Sequence, residues 1–186
     1  MNVTDAVRRR RSIKTFTDRS LEREELEELL ELVVLAPNHR MTEPWRFVVL
    51  GPEAKRRWGE IKGETRAGRV DDVQAAELVR RKTIESMSSL PGLVAVVQLL
   101  ANDPEIREED YATVYMGIQN LLLAAVERGL GTHVKTGAEL EGAALRSALG
   151  VAEGERVVAL VQIGEPAELP AEKPRAPAAA RTNWLP

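Results

Sequence analysis

Six residues packed into seven positions, Arg8, Arg9, Arg10, Arg11, Ser12 and Lys14, place four guanidinium groups, a hydroxyl and an ammonium on one short segment. A guanidinium fork donates paired hydrogen bonds to oxyanions and an ammonium acts as a point charge. The chemistry such a segment serves is capture of a phosphate monoester with polar attachments. As a bare charge run it equally describes a solvated helix end or a weak polyphosphate anchor. Further along, "THVKTG" adds Lys135 and Thr136, and the region near the carboxyl terminus adds Lys173 and Arg175. The run "LAPNHRMTEPWRF" (35–47) carries His39, one of only two histidines. There is no cysteine, so no thiolate nucleophile, disulfide or iron–sulfur cluster, and two isolated histidines argue against zinc. An inventory this thin in acid–base groups points to an organic cofactor as the carrier of chemistry.

These groups must be positioned by local structure that the sequence patterns. From Leu21 to Leu35 the apolar residues Leu26, Leu29, Leu30, Val33 and Val34 recur at helical spacing among glutamates, with Ser20 at the N-cap position and Pro37 as the stop. "WRFVVL" (45–50), "GLVAVVQLL" (92–100) and "RVVALVQIG" (156–164) are continuous apolar runs, expected as strands covered by helices on both faces. Trp45 opens the first and is read as core, while Pro44 forces an extended entry. A polar helical region is expected over about Val70 to Met87, and a short helix over Leu140 to Leu149. A second long helix, from about Asp110 to Arg128, leaves almost no polar face: Val114, Met116, Ile118, Leu121, Leu122 and Val126 encircle it. Its cover is either a second copy of the chain, which we favour, or the rest of the same monomer. In "GLGTHVKTG" (129–137), Gly129 and Gly131 are expected to be helix C-terminal residues of positive φ.

Length and composition set the outer bounds. A chain of 186 residues with 44% hydrophobic and 30% charged content is expected to be one domain, residues 1–186, with a respectable core. Five of the ten prolines fall within 165–186, among alanines, so this tail cannot build a core and is either disordered or laid extended across a neighbour. A formal charge of -3 selects neither nucleic acid nor an anionic membrane. No apolar run reaches the roughly 20 residues needed to span a bilayer, and the chain is read as cytoplasmic. The irregular order of helices and strands gives an α+β layer rather than a doubly wound sheet.

Taken in order, "RRRRSIKTF", a helix, "APNHRMTEPWRFVVL", an apolar helix, "GLGTHVKTG" and a terminal "IGEP" strand resemble the nitroreductase family of FMN-dependent oxidoreductases. The likeness runs from Val7 to Pro166 and is strongest to the short members that carry Ala-Pro-Asx-His before Pro-Trp. The resemblance implies an α+β fold whose small mixed or antiparallel sheet is sandwiched by helices. It implies a homodimer with FMN bound non-covalently at the interface, and ping-pong electron transfer from NADH or NADPH to a small-molecule acceptor such as a nitroaromatic. Arg10, Arg11 and Ser12 stand where the family places its phosphate and ribityl contacts, and Lys14 where a cation approaches the pyrimidine edge. His39 occupies a loop position that approaches the cofactor; Val134, Lys135 and Thr136 match a stretch whose backbone lies along the isoalloxazine. Arg175 resembles a basic residue that reaches the phosphate. No side chain is assigned as an acid–base catalyst, because the flavin carries the chemistry; a product proton comes from water or His39. Several relatives have tryptophan at the place of Val134, and others a Ser-x-Asn loop, whose asparagine role is not carried to Asn38. Related flavin chemistry on the same scaffold, dehydrogenation or dehalogenation, is the first alternative. The second is a non-catalytic phosphate or nucleic-acid module built on Arg8–Arg11, which the 4% aromatic content counts against, leaving no nucleic-acid or membrane partner in the favoured reading.

Overall fold

A computed structural model describes residues 1–186. The continuous valine and leucine runs sit where such runs must, in the middle of a sheet covered on both faces. Strands β1 (Trp45–Val49), β2 (Gly92–Leu99), β3 (Gly131–Lys135) and β4 (Glu155–Gly164) form one sheet in the order β1-β2-β4-β3. Every pairing is antiparallel, with Phe47 opposite Val96, Ala95 opposite Leu160 and Val134 opposite Val161. On one face, helices α2 (Arg23–Val33) and α5 (Pro104–Glu127) bring Leu29, Val33, Val114, Ile118 and Leu121 onto Val94, Val96, Val161 and Ile163. On the other, α3 (Pro52–Ala67), α4 (Val73–Ser88) and α6 (Ala143–Ala148) bring Trp58, Met87 and Leu145 onto Leu93, Ala95 and Leu160. The expected helix–sheet–helix α+β layering is what forms. No helix is long and apolar enough to cross a membrane.

Several elements differ from their sequence expectation, each for a local reason. Residues Pro52–Ala67, to which the sequence reading assigned no element, form the long helix α3, with Pro52 in its first turn. Its apolar face is Ala54, Trp58, Ile61 and Ala67, with one large ring, and close packing on α4 substitutes for bulk: a Cβ at Gly59 would lie 2.9 Å from the Ile84 backbone. α2 begins at Arg23, after Glu22 and not after Ser20; the Glu22 N–H donates to Glu25 Oε2 at 3.0 Å. α5 starts at Pro104, capped by Asp103, whose carboxylate accepts from the Glu105 N–H at 2.8 Å. The stretch 129–137, whose two glycines were expected at a helix C-terminus, contains the edge strand β3. Gly129 has the expected positive φ of 75°, but Gly131 does not; a Cβ there would meet Ile13 Cγ1 at 2.3 Å. Close approach, not a turn, requires that glycine.

The apolar encirclement of α5 also has a cover within the chain. Ile118 is 2% exposed, and Val114, Leu121 and Ala125 are wholly buried against α2 and the sheet. A Cβ at Gly117 would lie 2.7 Å from the Val33 carbonyl oxygen, which shows how closely α2 crosses α5. Tyr111 and Met116 remain exposed. At the carboxyl end the chain pairs briefly with the amino-terminal segment, through Thr17 N–H to Glu165 O at 2.9 Å and Ala167 N–H to Thr15 O at 3.1 Å. From there to Pro186 almost every residue is exposed, and Trp184 is 91% exposed.

Candidate functional site

Helix α1 (Val3–Arg9) ends at Arg10, whose ψ of 128° turns the chain into an extended run. Ile13, 2% exposed, pins that run to β3: its N–H donates to Thr132 O at 2.9 Å while its side chain fills the space over Gly131. In an extended chain alternate residues share a side, so Ser12 and Lys14 are left exposed on the side away from Ile13. The Arg11 guanidinium donates to the Arg10 carbonyl oxygen at 2.9 Å, to that of Arg8, and to Glu172 Oε2 at 3.0 Å. It ties the helix end to the carboxyl-terminal segment. Between these pieces lies a cleft of about 880 Å³, in the size range of small-molecule sites. Arg8, Arg10, Lys14, Lys173 and Arg175 line it against Glu168 and Glu172. Arg10, Lys14 and Arg175 make no ion pair within the chain; the one pair in the cleft is Arg11 with Glu172. Unpaired cations around one opening give the cleft an excess of positive charge, which suits an oxyanion.

Beside this cleft runs β3. Val134 packs on the core of the α2/α5 face, so His133 and Lys135 occupy the α3/α4 face. Thr136, just past the strand, is exposed. Burial, with the nearby charges of Lys62, Arg66 and Lys14, pushes the Lys135 ammonium below the ordinary lysine range. His133 is likewise pushed below its ordinary value, first by burial and then by Lys135, and its Nδ1 is buried without a hydrogen-bond partner. Lys62, on α3, is 8% exposed; its Nζ lies 3.5 Å from Glu139 Oε2 and 5.3 Å from the centroid of the Trp58 ring.

His39 lies elsewhere in the chain. It begins a single 3₁₀ turn, His39–Met41, and its Nδ1 is 3.0 Å from Glu109 Oε2 on α5. The His39 contact, more than that of Arg40, holds the Glu109 carboxyl below the ordinary carboxylate range. The surrounding loop is strained, with Arg40, Met41 and Glu43 all at positive φ (70°, 52° and 47°). Asn38 clasps it: its Nδ2 donates to Thr42 Oγ1 at 3.0 Å and its Oδ1 accepts from the Glu43 N–H at 2.7 Å. Thr42 in turn donates to the buried Asp110. One chain therefore gathers Arg10, Arg11, Ser12, Lys14 and Arg175 around one cleft, with Val134 and Lys135 on the adjoining strand and Thr136 just past its end, and leaves His39 outside it. Sequence reading missed Lys62, Arg66, Glu139 and Glu109. The spacing Trp58, Lys62, Arg66, each four residues apart, was the available signal for the first two.

Residues 7–165 match the family model described as Nitroreductase family. The chain is 32% identical over 173 residues, 93% of its length and 89% of the other's, to the Bacillus subtilis (strain 168) protein named "Putative NAD(P)H nitroreductase YfhC". It is similar in structure to the nitroreductase-like family protein from Bacillus cereus, with a TM-score of 0.85, 27% identity, and 100% and 96% of the two chains covered. A Desulfovibrio desulfuricans chain solved in complex with FMN and titled a "putative nitroreductase" aligns with a TM-score of 0.75, 24% identity, and 100% and 98% coverage.

Proposed function

Because this chain belongs to the nitroreductase family, a family of oxidoreductases, we propose that it binds FMN and uses NADH or NADPH to reduce nitroaromatic or similar small acceptors in a ping-pong cycle. The observation that carries the reading is the cleft in which Arg10, Lys14 and Arg175 stand without carboxylate partners, next to the strand Gly131–Lys135. Its excess of positive charge fits a phosphate dianion, and the exposed Ser12 and Thr15 hydroxyls suit a polar ribityl chain. When bound, the flavin would supply the redox chemistry that links the nicotinamide to the acceptor. The protein's own part is to grip and aim. Arg10 and Arg175 would hold the phosphate. Lys14 would offer a cation to negative charge developing on the ring, and the backbone of Val134–Thr136 would lie along it.

We further propose that the working unit is a homodimer. A compact monomer of 20.6 kDa is expected to expose about 8,900 Å². This chain exposes 11635 Å². The excess is in the range that permanent interfaces bury. It includes the apolar residues Val3 and Val7 of α1 and Met116 of α5, and the extended tail with Trp184 and Leu185. In that assembly the strained, outward-facing loop of His39 reaches the partner's cleft. The same scaffold serves dehydrogenation and dehalogenation; halide release from a haloaromatic, or flavin reduction by an organic hydrogen donor, in place of nitro-group reduction would favour those chemistries.

Purified protein should be yellow and release FMN on denaturation, and NAD(P)H should bleach it under anaerobic conditions until a nitroaromatic restores the colour. Initial-velocity plots at several acceptor concentrations should be parallel. A colourless protein that takes up no added FMN ends this reading and promotes the phosphate-binding one.

A further inference from the structure

A cleft that receives a phosphate gains no attraction from a carboxylate on its wall, yet Glu172 lines this one among the cations. Its partner is Arg11, whose side chain is 22% exposed. The Arg11 Nη1 donates to the carbonyl oxygens of Arg8 and Arg10, at the end of helix α1, and Nη2 donates to Glu172 Oε2 at 3.0 Å. The last carbonyls of a helix lack partners within it, so Arg11 is fixed where the backbone most needs a donor. From that fixed point it reaches the carboxyl-terminal segment, which little else holds. Ala167 N–H donates to Thr15 O at 3.1 Å; beyond it, Arg11 with Glu172 is the only hydrogen-bonded or ionic tie from residues 168–186 to the rest of the chain. Pro170 and Pro174 bracket Glu172, fixing their own φ and keeping Leu169 and Lys173 extended. In so restricted a stretch, pinning Glu172 also places Lys173 and Arg175, which line the same cleft as Arg10 and Lys14.

We propose that Arg11 and Glu172 are positioning residues for the cofactor: Arg11 is a bracket on the end of α1, Glu172 is the pin it holds, and the pair keeps Lys173 and Arg175 on the cleft that receives the phosphate. Resting on the flavin reading above, this assignment withdraws Arg11 from the direct phosphate contacts that the family resemblance implied, because the guanidinium is already engaged. It also carries a sign. By charge alone Glu172 is a competitor of the phosphate, and neutralising it would make the cleft more cationic and tighten anion binding. As a pin it does the reverse: its loss weakens binding although positive charge in the cleft increases.

The test titrates the full chain with FMN and with riboflavin, which has the same ring and ribityl chain but no phosphate, and follows flavin fluorescence. Four proteins are compared: wild type, Glu172→Ala, Arg11→Gln and the double variant. Glu172 stands exposed on a segment outside the core, so its replacement leaves folding intact. The FMN dissociation constant should rise about three- to ten-fold in each single variant, as expected for loss of a partly shielded ion pair with a charge-assisted hydrogen bond, while that of riboflavin stays put. The double variant should bind FMN no worse than Arg11→Gln alone, since each single change already releases the pin. FMN binding by Glu172→Ala as tight as wild type, or tighter, overturns the proposal and makes Glu172 a bystander or a competitor. Losses that add in the double variant overturn it in favour of Arg11 acting on the phosphate directly. Equal losses for riboflavin overturn it as damage to packing. A wild-type protein that takes up neither flavin overturns the flavin reading and this one together; with FMN bound by wild type, the other results judge the pin alone.

Discussion

At the scale of single residues, the side chains with the least compensation around them are the informative ones. Arg10 has no carboxylate partner, so Arg10→Ala should cost the apoprotein little stability while weakening FMN retention about ten-fold or more, read by cofactor loss on dilution. Equal retention would remove Arg10 from the site. His133 gives a pH signature. Its folded imidazole titrates below the ordinary value of 6.5, because burial and then Lys135 disfavour the charged form. The unfolded chain therefore binds more protons just below pH 6.5; His133's contribution is complete above that value and is lost as pH falls through the lower folded value. Thermal melts of the apoprotein should show this limb, and His133→Gln should flatten it. Glu155 acts in a different window. Arg46 grips it through Nε and Nη2 at 2.7 and 2.6 Å and holds its carboxyl below the ordinary 4.5. Its stabilisation is full above 4.5 and disappears only as pH drops through the folded value, so Glu155→Gln should lower the melting temperature at neutral pH and narrow the gap to wild type in acid. An undiminished gap would contradict the pairing.

At the scale of elements, the loop between α2 and β1 shows why a sequence can mark a segment without giving its shape. Pro37 and Pro44 bracket it legibly, but three non-glycine residues at positive φ could not be read from "HRMTE". That backbone exists because Asn38, Thr42 and the buried Asp110 hold it, and Asp110 lies far along the chain on α5. Asn38→Ala should destabilise the protein by about 1–2 kcal/mol and raise hydrogen exchange across residues 38–43. Exchange equal to wild type would assign the strain another support. The α2–α5 crossing makes a second element-scale case. Gly117→Ala drives a methyl into the Val33 backbone, and urea melts should show a loss of about 1–3 kcal/mol.

At the scale of the molecule, α5 changes how the proposed dimer must be tested. A charge at Ile118 would wreck the monomer's own core, so dissociation after that substitution says nothing about an interface. Met116, 42% exposed on the same helix, is the informative site. Met116→Glu should yield a folded monomer by light scattering that has also lost FMN; a flavin-loaded monomer would contradict a shared site, and an intact dimer would move the interface off this helix.

The sequence by itself determined the three strands built from unbroken apolar runs, the amphipathic helix before Pro37, and the cationic segment Arg8–Lys14. Each is a local pattern of charge or periodicity that burial merely reads out. Only the tertiary structure decided that Gly131 belongs to an edge strand, that α3 forms with so thin an apolar face, and that Lys62 sits against Glu139 while His39 stays with Glu109. Those depend on which distant backbone comes within a few ångströms, Ile13 on Gly131 or Ile84 on Gly59, and close approach between remote segments leaves no periodic trace in a chain.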